Sequence, residues 1–526
     1  MARKDYRADI DGLRAVAIIA VIFYHMDTSI LPGGFVGVDV FFVISGFLIT
    51  SHLLSEIYIK KDFIFKRFYL KRIKRILPAL FVMMLLVIFI GYFILTNFYF
   101  QALGEQAFSA TLSYSNIYFY LSSGYFDTDS SLKPLLHTWS LGVEEQFYLA
   151  WPAILVLSSH VNKKKHLFFI LIFLMVTSFL FNGLFSYNLN AIFYLVPFRI
   201  FEFSVGAIIA LIHLKSTPIV PYKNNYHSLI SIAALILVIS PMFYLDEQSV
   251  FPYYNAIPTV LGTGLLLYFR KTMVSRVLST RPVVYIGLIS YSLYLYHWPI
   301  IVFTKFQFEA LSGGYLYIVI LTSSFLFAMA SYYFVEKPFR FSKKYSLSIL
   351  FILLSISVLA LSFMIKSRVL NSVSDGQEVI QKNVKSEFKE RYNFKNKYGC
   401  SIETIEMSER CNWKASKQLL FIGNSHNIDG YNIFKSFLDD KYNLIFTGDN
   451  YHCKYKYKSN GIVISKSGNC TYGADNLVQE RFLKKVDILV INIFKFRDWG
   501  TDFIPIINKM KEVKPHLKVI LVGGFI

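Results

Sequence analysis

The sequence predicts a polytopic α-helical membrane protein of about eleven transmembrane helices, followed by a C-terminal extracytoplasmic α/β domain. Its 526 residues are 54% hydrophobic and 17% charged, which is outside the range of an ordinary soluble domain. Apolar runs long enough to cross about 30 Å of hydrocarbon, roughly 20 residues each, recur up to position 365. Beyond them, short apolar strands alternate with helix-like segments.

The transmembrane prediction depends on eleven apolar runs. They lie at 13–26, 35–54, 77–96, 143–159, 167–184, 191–214, 228–245, 256–269, 283–304, 315–335 and 346–365. The first run follows three basic residues, as a secretory signal would. It lacks a small-residue cleavage site and is followed directly by Asp27, so we expect a retained membrane anchor.

Lysine and arginine are distributed unequally between alternate loops. One set carries clusters of them, at 3–7, 60–75, 163–165, 215–223, 270–281 and 337–344. The opposite set holds only Lys133 and Lys305, although it includes the long segment 97–142. Because short cytoplasmic loops carry the positive excess, we expect a cytoplasmic N-terminus and, after an odd number of spans, an extracytoplasmic C-terminus. The net charge of +20 is then mainly a topological signal and gives no support to nucleic-acid binding.

All four cysteines follow the last apolar run. Disulfides persist in oxidising compartments, so their position agrees with a periplasmic C-terminal part and a bacterial inner membrane, the alternative being free thiols in a cytosolic tail. Three connectivities are possible, and we predict nearest-neighbour pairing: Cys400 with Cys411 and Cys453 with Cys470.

Composition divides the chain into four parts. Residues 1–345 hold ten predicted spans, 346–366 an additional transmembrane helix, 367–417 a polar extracytoplasmic linker, and 418–526 the α/β domain. The runs "LLFIGNSH", "YNLIFTG", "VDILVINIF" and "LKVILVGGF" indicate a parallel sheet covered on both faces. A complete domain of this kind would continue, so we expect the chain to be truncated after Ile526.

The first chemically informative pair is Arg14 and His25 in "GLRAVAIIAVIFYHMD". Eleven residues on an α-helix correspond to a rotation of about 20° and a rise of about 16.5 Å, so the two side chains share a face. With Arg14 at the cytoplasmic boundary, His25 lies near mid-membrane, where ionisable groups usually face a cavity or a partner. The alternative is that Arg14 is only a positively charged flank of the span and that His25 lies at the outer membrane interface.

Two further stretches add polar groups near this helix. In "FYLKRIKRILP", Arg72 and Arg75 are neighbours on one helical face and can bind phosphate, or can be topological charge alone. In "GGFVGVDVFFVISGFLIT", Asp39 either orients His25 or faces water at a helix end, and the glycines permit close helix approach.

Histidines and acids also mark two later spans. "LLHTWSLGVEEQFYLAWP" contains His137, Glu144 and Glu145, of which at most one acid points inward. "SYSLYLYHWPI" places His297 in the outer half of its span. Each residue alone is compatible with a membrane interface, and together they indicate a polar route through a helical bundle.

The ordered set of these motifs, over about residues 6–340, closely resembles the bacterial acyltransferase-3 membrane proteins. The resemblance implies ten spans, a cytoplasmic acyl-CoA donor, and O-acylation, commonly O-acetylation, of an extracytoplasmic glycan. By position it makes His25 the catalytic candidate and Glu144 a candidate catalytic or acceptor-site residue. The residues implied to hold the CoA phosphates are Arg14, Arg72 and Arg75.

This chemistry is physically coherent. A thioester is already activated, so the protein must mainly exclude water, place the acyl carbon and remove a proton from the incoming hydroxyl. His25 can serve as a general base or as a nucleophile that carries the acyl group, and the sequence does not choose between them.

In the C-terminal part, "FIGNSHN" presents Ser425 at a strand-to-helix turn suited to a nucleophile. It resembles the first block of the three-layer SGNH hydrolase and acyltransferase fold, although Asn424 stands where that block usually has aspartate. No later segment matches the block that supplies the base, which indicates either truncation or a lost triad. With a complete domain, Ser425 is expected to receive the acyl group and deliver it to the glycan.

The resemblance therefore implies an O-acetyltransferase that uses acetyl-CoA as donor and a glycan such as lipopolysaccharide O-antigen, another surface polysaccharide or peptidoglycan as acceptor. Its expected partners are acyl-CoA, the glycan and membrane lipid, with no permanently bound cofactor and no metal. The alternative is a transporter or flippase with an extracytoplasmic binding module, but no inverted repeat is visible in the sequence.

Overall fold

The computed structural model divides the chain into two compact units, Met1–Glu378 and Val379–Ile526. In the first unit it describes residues 6–122, 132–160, 164–215, 225–246, 248–307, 314–341 and 345–373. In the second it describes 400–402, 417–423, 442–447, 453–458, 461–466, 484, 486–493, 508 and 510–523. The division falls within the segment that the sequence predicts as a linker.

The first unit is helical. Its first nine helices are α1 (Ala8–Met26), α2 (Gly37–Leu54), α3 (Phe65–Ile94), α4 (Asn97–Thr111), α5 (Ser115–Ser122), α6 (Thr138–His160), α7 (Lys164–Leu184), α8 (Leu189–Tyr194) and α9 (Ile200–Lys215). The next eight are α10 (Asn225–Ile239), α11 (Pro241–Tyr244), α12 (Ile257–Tyr268), α13 (Met273–Leu278), α14 (Arg281–Gln307), α15 (Gly314–Ser331), α16 (Lys337–Phe341) and α17 (Tyr345–Lys366). Short 3₁₀ or π turns lie between some of them, including Val196–Phe198 and Tyr332–Glu336.

Seven helical segments in the described part of the chain are long and apolar enough to cross a membrane. They are Gly34–Ile59, Phe65–Ile94, His166–Leu184, Tyr226–Tyr244, Arg281–Lys305, Gly314–Phe341 and Ser346–Lys366. The other predicted spans fall on α1, α6, α9 and α12, of which α12 has only 12 residues. A multi-pass helical architecture is confirmed, and the number eleven stays a prediction.

Three predicted boundaries differ from the structure. Helix α3 begins at Phe65, well before the apolar run at 77, because its basic residues are good helix formers. The predicted span 191–214 is interrupted between α8 and α9 at Pro197, which cannot donate a helical hydrogen bond. The predicted long loop 97–142 contains α4 and α5.

Glycines allow the central helices to cross at backbone contact. A Cβ atom on Gly287 of α14 would lie 1.8 Å from the carbonyl oxygen of Asp11 on α1. A Cβ on Gly46 of α2 would lie 2.1 Å from the carbonyl oxygen of Phe203 on α9. These positions confirm the expected role of a glycine in the second span, because any side chain there would push the helices apart.

Helix α17, predicted as an addition to the ten-helix domain, packs within the first unit. Phe351 of α17 stacks on Phe81 of α3 with ring centroids 5.9 Å apart. Just after the helix, the backbone N–H of Ser372 donates a hydrogen bond of 2.7 Å to the side-chain oxygen of Asn97. The chain is therefore tied to the start of α4 where it leaves the bundle.

The second unit contains strands β1 (Cys400–Ile402), β2 (Lys417–Gly423), β3 (Tyr442–Thr447), β4 (Cys453–Lys458), β5 (Gly461–Lys466), β6 (Ile488–Ile493) and β7 (Lys518–Gly523). Five of them form a parallel sheet in the order β1-β3-β2-β6-β7, and β4 and β5 form an antiparallel pair. The parallel pairing agrees with the sequence prediction. The predicted nucleophile Ser425, its neighbour Asn424, and the cysteines Cys411 and Cys470 lie outside the described residues, so the predicted nucleophile and disulfides stay predictions.

The close crossing of α1 and α14 predicts that Gly287→Ala destabilises the helical unit. The added methyl group collides with the Asp11 carbonyl, and overpacking of this kind costs about 1–3 kcal/mol. Thermal unfolding of the purified full chain in detergent should show a lower midpoint. Gly314→Ala is the matched control, since no heavy atom lies within 4 Å of a Cβ built there. Equal midpoints for the two variants would contradict the crossing.

Candidate active site

Helix α1 carries both Arg14 and His25, as the eleven-residue spacing predicts. His25 lies one residue before the end of the helix and is half-buried. Its Nδ1 atom is 3.0 Å from Nε2 of His297 on α14. The planes of the two imidazoles are inclined by 21° with centroids 5.2 Å apart, and the Trp298 ring lies 4.6 Å from the His25 ring. His297, predicted only as a supporting residue, is thus in direct contact with the catalytic candidate.

The segment around His297 is held by hydrogen bonds to backbone atoms. His297 is fully buried, and its Nδ1 atom is 2.7 Å from the carbonyl oxygen of Tyr294. The indole N–H of Trp298 donates a hydrogen bond of 2.7 Å to the carbonyl oxygen of Lys133, in the segment before α6. His137 is also buried, and its ring centroid lies 5.8 Å from that of His297. The structure therefore brings together the three histidines of the predicted polar route.

The end of α1 next to His25 is tied to α15. The Tyr317 hydroxyl donates a hydrogen bond to one carboxylate oxygen of Asp27, and the backbone N–H of Ser29 donates to the other. Hydrogen bonds from Tyr317 first, and then from the side chain and backbone of Ser29, lower the pKa of the Asp27 carboxyl below its usual range. A carboxylate accordingly fixes α1 to α15 two residues beyond His25.

Arg14, Arg72 and Arg75 line one cavity of about 100 Å³. The Arg14 guanidinium donates a hydrogen bond of 3.0 Å to Asp11, one turn earlier on α1. Arg72 lies over the ring of Tyr148, 5.7 Å from its centroid. None of the ion pairs in the described ranges involves Arg72 or Arg75. The cavity therefore offers guanidinium groups to an anionic ligand.

Glu144 lies on the wall of the same cavity. Its carboxylate accepts hydrogen bonds from the Ser45 hydroxyl at 2.7 Å and from the Tyr148 hydroxyl at 2.8 Å. Glu145 instead interacts with Ser113 and is not among the lining residues. Of the two adjacent acids, Glu144 is therefore the one on the wall of this cavity.

Tyr294 connects the cavity to the histidines. Its ring lines the cavity, and its hydroxyl is 2.6 Å from the Ser140 hydroxyl and donates to the carbonyl oxygen of His137. Its own carbonyl oxygen is the one that contacts His297. One turn of α14 thus has a side facing the arginine-lined space and a side holding the histidine pair.

Asp39 has a different environment from either one expected. It is fully buried rather than facing water, and it pairs at 3.2 Å with Arg199. The hydrogen-bond partner of His25 is His297 instead. Arg199 also pairs with Glu202 at 3.0 Å and lies over the ring of Trp139. Asp39 therefore belongs to a buried ionic cluster, and the expectation that it contacts His25 is wrong.

Sequence reasoning missed several residues of this region. The sequence prediction places Arg199 inside a continuous span and gives it no role, although a charge at that depth signals a buried partner. Glu336 is nearly fully buried, accepts a hydrogen bond from Ser292 and interacts electrostatically with Arg14. The feature of the sequence that could have identified Glu336 is an acidic residue at the end of an apolar run. Ser45 and Tyr148 had no signal at all, because hydroxyl side chains are common in membrane helices.

Comparison with known proteins identifies relatives of the helical unit. The acyltransferase-3 family, described as an acyltransferase domain, matches residues 7–365. The peptidoglycan O-acetyltransferase OatA of Listeria monocytogenes is 33% identical over 357 residues, which cover 64% of this chain and 56% of that protein. YrhL of Bacillus subtilis, named as a candidate peptidoglycan O-acetyltransferase, is 31% identical over 350 residues, 64% of this chain and 55% of its own.

A Staphylococcus aureus protein named as a candidate O-acetyltransferase is 31% identical over 351 residues, 64% of this chain and 57% of its own. The chain thus aligns with little more than half the length of these curated relatives. No solved structure matches. Since the family match spans more than half of the sequence and includes the arginine-lined cavity and the histidine pair, the chain belongs to the acyltransferase-3 family.

Proposed function

We propose that the protein is an O-acetyltransferase that moves an acetyl group from acetyl-CoA to a hydroxyl of an extracytoplasmic glycan. The observation that carries the proposal is the arrangement along α1: an arginine-lined cavity at Arg14 and a histidine pair at His25. Family membership supports acyl transfer, and the names of the relatives support acetyl as the group and a glycan as the acceptor.

The proposed orientation places the Arg14 end of α1 at the cytoplasmic face and the His25 end toward the periplasm. The concentration of lysine and arginine in alternate loops supports this direction. Acetyl-CoA is then captured from the cytosol and the glycan approaches from the opposite side of the inner membrane. No movement of CoA across the membrane is needed, because only its acyl end has to reach the histidines.

Arg14, Arg72 and Arg75 are proposed to bind the phosphates of the donor. Guanidinium groups bind phosphate oxygens with two parallel hydrogen bonds, and burial strengthens each bond. Glu144, on the cavity wall, is proposed to accept a hydrogen bond from an amide N–H of the donor's pantetheine arm. Its bonds to Ser45 and Tyr148 hold the carboxylate in place for this contact.

His25 is proposed to act as general base. Its imidazole takes the proton of the glycan hydroxyl as the oxygen attacks the thioester carbonyl carbon, which forms the C–O bond. The C–S bond then breaks, and the proton passes from the imidazolium to the departing sulfur, so that the products are an acetyl ester and free CoA. The half-buried position of His25 allows access from one side while limiting water.

The acceptor is proposed to be a glycan of the cell envelope. The relatives' names make peptidoglycan the first candidate, and lipopolysaccharide O-antigen is the second, expected from the sequence. Delivery through Ser425 of an SGNH-like second unit, which would accept the acetyl group and pass it to the sugar, is a further proposal that depends on the sequence motif alone.

We expect His25→Ala to slow acetyl transfer strongly. Loss of a general base lowers the rate by about 10²–10⁴-fold, while the arginine cavity and hence donor affinity are preserved. Release of CoA thiol by purified protein with acetyl-CoA and a soluble glycan fragment measures the rate. His227→Ala is the control, because His227 on α10 packs against Phe269, away from the cavity lining. Undiminished turnover by His25→Ala would sink the assignment.

Removing one cavity arginine should weaken donor binding. Arg72→Ala and Arg75→Ala are each expected to raise the KM for acetyl-CoA by about 10–100-fold, with a smaller effect on kcat, since a charge-assisted hydrogen bond contributes about 1.5–3 kcal/mol. With acetyl-dephospho-CoA, which lacks the 3′-phosphate, the penalty should vanish for an arginine that holds that phosphate. Arg67→Ala is the control, because Arg67 pairs with Asp62 outside the cavity. Unchanged KM values in both cavity variants would contradict the assignment.

The acceptor can be identified by mass spectrometry of envelope glycans. Cells that express the wild-type chain should contain glycan fragments about 42 Da heavier than those of cells expressing His25→Ala, the mass of one acetyl group in place of hydrogen. Acetylated muropeptides would establish peptidoglycan, and acetylated O-antigen sugars would establish lipopolysaccharide. Identical glycan spectra in both strains would contradict the proposed function.

A further inference from the structure

We propose that His297 is a positioning residue that fixes the tautomer of His25, so that the atom of His25 that receives the proton is Nε2. The proposal rests on the proposed role of His25 as general base and adds to it the identity of the basic atom and the residue that selects it. It follows from two hydrogen bonds and the chemistry of their partners.

The first bond determines the protonation of His297. Its Nδ1 atom lies 2.7 Å from the carbonyl oxygen of Tyr294 and 3.2 Å from that of Leu293. A carbonyl oxygen can only accept a hydrogen bond, so Nδ1 of His297 must carry the hydrogen. A neutral imidazole has one N–H, and Nε2 of His297 is therefore left with a lone pair.

The second bond determines which nitrogen of His25 carries the hydrogen. Nε2 of His297 lies 3.0 Å from Nδ1 of His25. Because Nε2 of His297 can only accept, Nδ1 of His25 must donate, and the lone pair of a neutral His25 is placed on its Nε2 atom. The Tyr294 carbonyl, one turn earlier on α14, thus determines which nitrogen of His25 is basic.

The surroundings hold this pair in register. His297 is fully buried, the Trp298 ring lies 4.6 Å from the His25 ring, and the Trp298 indole is bonded to the carbonyl oxygen of Lys133. Rotation of either imidazole would break a buried hydrogen bond, which makes the alternative tautomer unfavourable. In the bond between the two histidines, Nδ1 of His25 is therefore always the hydrogen-bond donor and Nε2 of His297 always the acceptor.

During the reaction the same bond stabilises the charged form of His25. When Nε2 takes the hydroxyl proton, both ring nitrogens carry hydrogen, and Nδ1–H continues to donate to the lone pair of His297. The proton then leaves Nε2 for the sulfur of CoA, and the neutral pair is restored. His297 gains and loses no proton, so its role is orientation rather than proton transfer.

Glutamine and asparagine substitutions of His297 separate this role from simple packing. His297→Gln can place an amide oxygen near the position of Nε2, where it can accept from His25. His297→Asn reaches only the position of Nδ1, where it can bond the Tyr294 carbonyl but not His25. We expect kcat within about tenfold of wild type for His297→Gln and about 10²-fold lower for His297→Asn, with the same KM for acetyl-CoA in both. Rates are expressed per mole of monodisperse, folded protein.

The double variant His25→Ala/His297→Asn supplies a second readout. If His297 acts only through His25, the double variant is no slower than His25→Ala alone. Equal kcat values for the Gln and Asn variants, or a further loss in the double variant, would overturn the positioning role while leaving the function of His25 intact. Full activity of His25→Ala would instead remove the proposed function itself.

Discussion

The close crossing of α1 and α14 is the constraint on which the candidate site depends. The carbonyl of Asp11 lies against the bare Cα of Gly287, so the two helices approach to backbone contact. From this point His25 is fourteen residues further along α1 and His297 is ten residues further along α14, and the two side chains meet again. The helices therefore run in the same direction, as the odd number of predicted spans between the first and the ninth requires.

The bundle contains two groups of buried charged residues, of which one lines a cavity and the other is packed against neighbouring side chains. The guanidinium groups of Arg14 and Arg72 line a cavity, next to the carboxylate of Glu144. Arg199, by contrast, is packed between aromatic rings and paired with Asp39 and Glu202, without contributing to the lining of that cavity. Removing one partner from such a buried cluster leaves an unpaired charge, which costs several kcal/mol. We therefore interpret the first group as a ligand site and the second as a structural tie between α2 and α9.

Periodic features could be predicted from the sequence, and pairings between distant segments could not. The shared face of Arg14 and His25 follows from the geometry of one helix. The adjacency of Glu144 and Glu145 predicts that the two acids face different directions, but it does not say which of them lines the cavity. The partner of Asp39 is 160 residues away and its identity depends on how α2 packs against α9. Likewise, the apolar run at 77 predicts the part of the chain that lies in hydrocarbon, whereas helix α3 begins earlier, at Phe65, with basic residues that form the same backbone hydrogen bonds.

The imidazole partner of His25 suits the proposed role of His25 as a base within a membrane. A carboxylate beside His25, as expected for Asp39, would orient the imidazole but would place a permanent charge in a region where ions are poorly solvated. A second imidazole orients it equally well and leaves the resting pair uncharged. In the proposed mechanism, charge then develops only while His25 holds the hydroxyl proton, and it disappears when the proton reaches the sulfur of the proposed CoA donor. Because a thioester is an activated donor, the proposed reaction depends mainly on the position of the base relative to the two substrates.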